Sequence, residues 1–232
     1  MLTSKVVPIE RLELRFEPWL WPFAFERRAE IEAHFEGLRR EQPAIWNGRV
    51  LMLREHTIDG GVLRGTCFET DFASFLVWRE LGFPDAAVKN FFAMGAVRSR
   101  DGAFVLGVMA PYTSNPGAIY FPSGTPEPDD LKGDEVDLDG SLWREMAEET
   151  GLREDELSPE PGWLAVDAGP RFALIRMLHT RRTGDDIAAQ IRGYLAREPS
   201  PELSDVRIVR GRADFDPMMP PFIKAFLTAM GL

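Results

Sequence analysis

The run Arg144-Glu145-Met146-Ala147-Glu148-Glu149-Thr150-Gly151-Leu152 constrains this chain more than any other stretch. It lacks proline and its one glycine comes near the end. It therefore reads as the last part of an α-helix that starts near a cap at Asp139 or Ser141 and stops at Gly151. On such a helix Glu145, Glu148 and Glu149 stand at i, i+3 and i+4, within an arc of about 100°. Like charges so placed repel by roughly 0.2–0.5 kcal/mol per pair, and nothing offsets this unless a cation sits among them. Leu142, Trp143 and Met146 occupy the neighbouring arc and can fix the helix to a sheet, which would hold the carboxylates still as a metal site requires.

The rest of the chain supplies the sheet. Residues 24–40 carry Phe25, Ala29, Ile31, Phe35 and Leu38 near helical spacing, and Pro43 is the expected stop. Residues 49–54 and 61–70 read as strands around Asp59-Gly60-Gly61, and residues 71–81 as a helix ended by Gly82 and Pro84. From Asn90 onward short apolar runs predominate: 91–98 and 102–109 form a hairpin around Ser99-Arg100-Asp101-Gly102, and 118–121 ends at Pro122. Strands at 162–167, 171–179 and 206–209 and helices at 185–196 and 222–230 follow. No 20–50-residue repeat is present. Strands mixed with helices predict an α/β or α+β sandwich.

Charge narrows the chemistry. The chain carries a net −10, which argues against nucleic-acid backbones as partners. Between Glu127 and Glu160 there are 14 acidic residues against three basic ones, so that window holds −11 and the remainder is nearly neutral. Most of these carboxylates suit a solvated loop, but a cluster of this kind is also what a hard divalent cation requires. Cys67 is the one cysteine, which excludes an intramolecular disulfide and multi-cysteine zinc sites and fits a reducing cytoplasm. The apolar stretch 18–25 is too short to span a bilayer, so no membrane partner is expected.

Arg144 to Leu152 resembles the second half of the Nudix signature, Arg-Glu-aliphatic-x-Glu-Glu-x-Gly-aliphatic, with Met146 as the first aliphatic residue. Five such identities arise by chance about once in a million sites. Pro122-Ser123-Gly124 is similar to the Pro-Gly-Gly that precedes the signature in many members, with Gly124 as its first glycine. From Gly124 to Arg144 there are 20 positions where the signature has 14, so six extra residues lie in the loop. The signature's upstream Glu is replaced: Val136 stands eight before Arg144, and Asp130 and Asp137 are both available as substitutes.

The resemblance implies a Nudix α/β/α sandwich with a mixed sheet over residues 90–232, and residues 1–89 as an N-terminal extension packed on it. It also implies hydrolysis of a pyrophosphate linkage in a nucleoside diphosphate derivative, with Mg²⁺ or Mn²⁺ held by Glu148 and Glu149, by Glu145 directly or through water, and by the Ser123 carbonyl. Arg144 would orient Glu145 or pair with Glu148, and the general base would be Glu145 or a carboxylate of the late loop, Glu202 or Asp205. His34, His56, His179 and Cys67 are expected to serve structure. The long lead, the Phe91-Phe92-Ala93-Met94-Gly95 run and the lengthened loop are similar to a subfamily that includes UDP-sugar diphosphatases. Nucleoside diphosphate sugars are thus the leading substrates, ahead of ADP-ribose and other dinucleoside or coenzyme diphosphates. Two other classes stay open, a Nudix-like module that binds a nucleotide without cutting it and an acidic protein-interaction domain; a homodimer is also left open.

Overall fold

The computed structural model describes residues 5–41 and 45–232; the expected helix stop, Pro43, lies outside them. The strands are β1 Val6–Ile9, β2 Arg11–Phe16, β3 Arg49–Asp59, β4 Val62–Asp71, β5 Asn90–Arg98, β6 Phe104–Met109, β7 Ile119–Tyr120, β8 Ser123–Gly124, β9 Leu131–Lys132, β10 Glu135–Val136, β11 Ser158–Pro159, β12 Trp163–Ala168, β13 Arg171–His179 and β14 Leu203–Val209. The helices are α1 Pro22–Glu26, α2 Arg28–Glu41, α3 Phe72–Glu80, α4 Leu138–Thr150, α5 Gly184–Leu195 and α6 Pro221–Ala229.

Among the described residues, nine strands form one sheet along the path β1-β12-β13-β5-β6-β14, with β11, β7 and β8 on its flanks, and five form a second, β3-β4-β2-β10-β9. Both are mixed: β13 runs parallel to β5 and β2 parallel to β4, whereas β12 opposes β13 and β3 opposes β4. β5 is buried along nearly its whole length because its alternate residues serve two cores. Phe91, Ala93 and Val97 meet Leu142 and Met146 of α4 and Ile187 of α5. Phe92, Met94 and Ala96 meet Phe222, Ile223 and Phe226 of α6. A strand covered on both faces shows no polar alternation, hence its unbroken apolar run. Helices on both faces of the larger sheet make this the mixed α/β sandwich expected from the sequence.

The smaller sheet turns Leu51, Leu53, Leu63 and Cys67 toward the core shared with α4. Its other side places Val50, Met52 and Phe68 against Ile31 and Phe35 of α2 and Leu76 and Trp78 of α3, each large apolar side chain contributing about 1.5–3 kcal/mol. Strands are exchanged across residues 89 and 90. β1 pairs with β12 in the larger sheet, Val6 opposite Val166, while β9 and β10, from the loop before α4, extend the smaller one through Glu135 opposite Arg15. No described helix is long and apolar enough to cross a membrane.

Three local expectations differ from the structure. The helix read over residues 24–40 is two helices, interrupted at Arg27 (φ −103°). β1 and β2 were not anticipated. The cap of α4 is Asp137 rather than Asp139 or Ser141, because the helix starts earlier and the Asp137 carboxylate accepts the Gly140 N–H at 3.1 Å, satisfying a donor that the first turn leaves unpaired. Asp137→Ala is expected to lower stability by about 1 kcal/mol in chemical denaturation. The exposed Lys132 paired with Asp137 adds little to that loss.

Candidate active site

α4 lies close on β5 because Gly95 has no side chain: a Cβ there would overlap the Met146 sulfur. The helix ends at Gly151, whose φ of 68° is left-handed and lets its N–H reach the Ala147 carbonyl at 2.9 Å. A rigidly seated final turn follows, and it carries the three glutamates.

They are not equivalent. Glu149 is 3% exposed, and among the described residues its Oε2 has no hydrogen-bond partner. Burial, then the charges of Glu145 and Glu202, push its carboxyl well above the usual range, opposed by the Ser123 backbone. The Glu145 side chain is 14% exposed and accepts from Arg144 Nη1 at 2.7 Å. Burial raises its carboxyl, Arg144 lowers it, Glu148 and Glu202 raise it, and the outcome is about 7. Glu148 faces solvent and, unlike Glu145 and Glu149, does not line the neighbouring cleft; its side chain is 61% exposed and 3.5 Å from Arg144 Nη1.

Arg144 links this turn to the inserted loop. Its Nη2 donates to Asp130 Oδ2 at 3.0 Å, and Asp130 also accepts the Glu127 N–H at 2.9 Å within a 3₁₀ turn, Pro128–Asp130. Burial works against charge on Arg144, but Glu145, Asp130 and Glu148 together hold its guanidinium more firmly protonated than usual. Of the two substitutes for the upstream Glu, Asp130 is therefore the one that meets Arg144, while Asp137 caps α4. The extra loop residues fasten to the smaller sheet, where the Leu51 N–H reaches the Pro126 carbonyl at 2.7 Å.

Gly124 explains itself sterically. A Cβ there would overlap Oε1 and Cδ of Glu145, so the strand β8 approaches this carboxylate as only glycine permits. Ser123, its neighbour, pairs with Met94 of β5 and borders the cleft together with Glu145, Glu149, Glu127 and Glu202. Glu127 is raised by burial, opposed by Arg144; Glu202 is raised by partial desolvation and by Glu148. Asp205, the other late-loop carboxylate, is taken up by Arg192 Nε at 2.7 Å.

This acidic end belongs to a cleft of about 900 Å³ whose walls also include Trp46, Phe72, Phe75, Arg79 and Arg171. Sequence reasoning singled out none of these five, nor Glu127. They come from separate segments, and only the isolated Trp46-Asn47-Gly48 between a helix and a strand offered a local hint. Among the described residues no three His, Cys, Asp or Glu side chains close into a ready metal shell. The fit to a cation rests on the unpartnered buried oxygen of Glu149 beside the mutually repelling Glu145. That arrangement is unfavourable unless positive charge is present.

No family model matches the sequence, and no curated protein matches it. Among solved structures, the chain is similar to RenU, a Nudix hydrolase from M. smegmatis, at 16% identity and TM-score 0.38, over 61% of this chain and 86% of that one. It is similar to the MutT protein from Methanosarcina mazei Go1 at 17% identity and TM-score 0.42, over 61% and 92% of the two chains. A third likeness is to a bifunctional NMN adenylyltransferase/ADP ribose pyrophosphatase from Francisella tularensis, complexed with AMP and Mn ion. It has 13% identity and TM-score 0.42 over 67% of this chain and 44% of that one. These are distant likenesses, and the reading of the site rests on this chain's own residues.

Proposed function

We propose that the chain is a Nudix-type pyrophosphohydrolase that cleaves a nucleoside diphosphate joined to another moiety, with nucleoside diphosphate sugars or ADP-ribose-like compounds as substrates. The observation that carries this reading is the pair of buried carboxylates, Glu145 and Glu149, crowded at one end of a cleft large enough for a nucleotide. Glu149 and Glu145, with the more exposed Glu148 and the Ser123 carbonyl, are the groups to hold Mg²⁺ or Mn²⁺. When bound, such a cation neutralises pyrophosphate charge and makes water more acidic.

The chain's own groups then have distinct tasks. Arg144 fixes the orientation of Glu145 by a charge-assisted hydrogen bond, and Asp130 fixes Arg144 in turn. Glu145, poised near neutrality, and Glu202, from the segment before β14, are the two groups available to accept a proton from water.

The competing reading is a module that binds the nucleotide without cutting it. The same cleft, with its aromatic and arginine wall, would serve such a module equally. A panel of nucleoside diphosphate sugars, ADP-ribose and dinucleoside polyphosphates, incubated with Mg²⁺ in ¹⁸O water, separates the two. The hydrolase reading expects a nucleoside monophosphate product, with label marking the phosphorus attacked and turnover lost in EDTA. No turnover on any member would leave the binding module.

A further inference from the structure

The cleft also has an aromatic and arginine wall to which the reading above gives no task. Trp46 is 47% exposed, but it is not a loose surface side chain. Its indole lies against Gly48, where a Cβ would overlap the ring, and 5.4 Å from Phe72 at an interplanar angle of 60°. The loop is tied to α3 twice: the Phe72 N–H donates to the Gly48 carbonyl at 3.0 Å, and the Ala73 N–H to Asn47 Oδ1 at 2.8 Å. Phe75 continues the wall, 5.7 Å from Phe72. A fixed and half-exposed aromatic face inside a cleft is a platform for a planar ring, since every base has a π-face to stack.

Two cations line the same cleft, Arg79 from α3 and Arg171 from β13. Among the described residues neither lies within 4.0 Å of a carboxylate, although most arginines of this acidic chain do. Arg79 reaches Asn115 Oδ1, at 3.5 Å, and lies 5.8 Å over the Phe75 ring. Arg171 lies 5.2 Å over Phe83. Partial burial weakens the hold of both guanidiniums on their charge; for Arg79 the charge of Glu80 opposes this and the nearness of Arg171 adds to it. Two like charges lining one cavity, neither in direct contact with a carboxylate, are relieved by an anion, and guanidiniums match the oxygens of a phosphate.

We infer that Trp46, Phe72, Arg79 and Arg171 form a subsite for a nucleoside monophosphate moiety, the base stacking on the aromatic wall and the phosphate held by the two arginines. The N-terminal segment would thereby choose what the acidic end acts on. This rests on the nucleotide reading above but not on hydrolysis.

Titration calorimetry of the full chain in EDTA, with AMP, adenosine, UMP and uridine as probes, tests it without any metal. The expected result is that each monophosphate binds at least tenfold more tightly than its nucleoside. That ratio should fall below threefold in Arg79→Gln and in Arg171→Gln, while Trp46→Leu weakens nucleoside and monophosphate alike, at least fivefold. Because the ratio is taken within one protein, partial unfolding of a variant cancels. Absent binding, equal affinity of nucleoside and monophosphate in the unaltered chain, an undiminished ratio in both arginine variants, or unchanged affinity in Trp46→Leu would each overturn the subsite. Turnover without this pattern would leave hydrolysis standing alone; the pattern without turnover would leave the subsite alone.

Discussion

Glu149→Gln is expected to make the metal-free protein more stable at pH 7.5 while cutting turnover at least a thousandfold. A carboxyl whose folded pKa is raised binds its proton more tightly in the folded chain than in the unfolded one. Its stabilising contribution is therefore complete below its unfolded pKa and is lost as pH rises through the folded value. For Glu145 the rise from 4.5 to about 7 corresponds to roughly 3 kcal/mol lost across that span. Glu149, buried and with its Oε2 unpartnered among the described residues, acts in the same direction. Gln has nearly the shape of the neutral acid and never ionises, so the gain over the unaltered chain should be small at pH 4.5 and grow to about 1–3 kcal/mol above neutrality. Melting curves in EDTA from pH 4.5 to 8 measure this difference. Added Mg²⁺ should then raise the melting temperature of the unaltered chain and leave that of Glu149→Gln nearly unmoved, since a ligand stabilises only what it binds. Equal stability of the two proteins at pH 7.5 would mean that the buried charge is compensated by something other than a cation.

The glutamate helix was legible because its information is local. Positions i, i+3 and i+4 share a face in any α-helix, and Gly151 can stop one wherever it occurs. Which of those glutamates is buried was not legible, because that depends on how α4 rotates onto β5, set by Gly95 and Met146. The choice between Asp130 and Asp137 was likewise hidden. Both lie in one acidic loop, and only the pairing of β9 and β10 with the N-terminal sheet brings Asp130 to Arg144 and leaves Asp137 at the start of α4. Glu202 and Asp205 are three residues apart and chemically alike, yet the first borders the cleft and the second is captured by Arg192. β2 did carry a signal: from Glu10 to Phe16 charged and apolar residues nearly alternate, the period of a half-buried strand. The partners of β1 and β2 are distant in sequence, at β12 and β4, so nothing nearby reinforced it. The arginine and aromatic wall draws on a loop, α3 and β13, and no spacing rule links such segments.

Gly124→Ala should damage the chemistry, as the Glu149 substitution does, but leave the stability of the fold nearly untouched. Gly124 is not among the residues with positive φ, so alanine meets no backbone strain there, and its smaller unfolded-state entropy favours folding by about 0.4–1 kcal/mol. What the new methyl group strikes is the Glu145 side chain from Cγ to Oε1, which can rotate away more cheaply than the strand can move. Rotation breaks the 2.7 Å contact with Arg144 and carries the carboxylate off by an ångström or more, a displacement that costs about a hundredfold in rate when the group must be positioned for reaction. Turnover should fall by that factor, mainly in kcat, with the denaturation midpoint nearly unchanged and AMP binding in EDTA unaltered. Gly37→Ala is the matched control: it lies within α2 with open space where the Cβ would go, so activity should be preserved and stability should rise slightly by helix propensity. Full activity in Gly124→Ala would show that the chemistry does not depend on where Glu145 is held, and the close approach of β8 to α4 would then be a matter of packing alone.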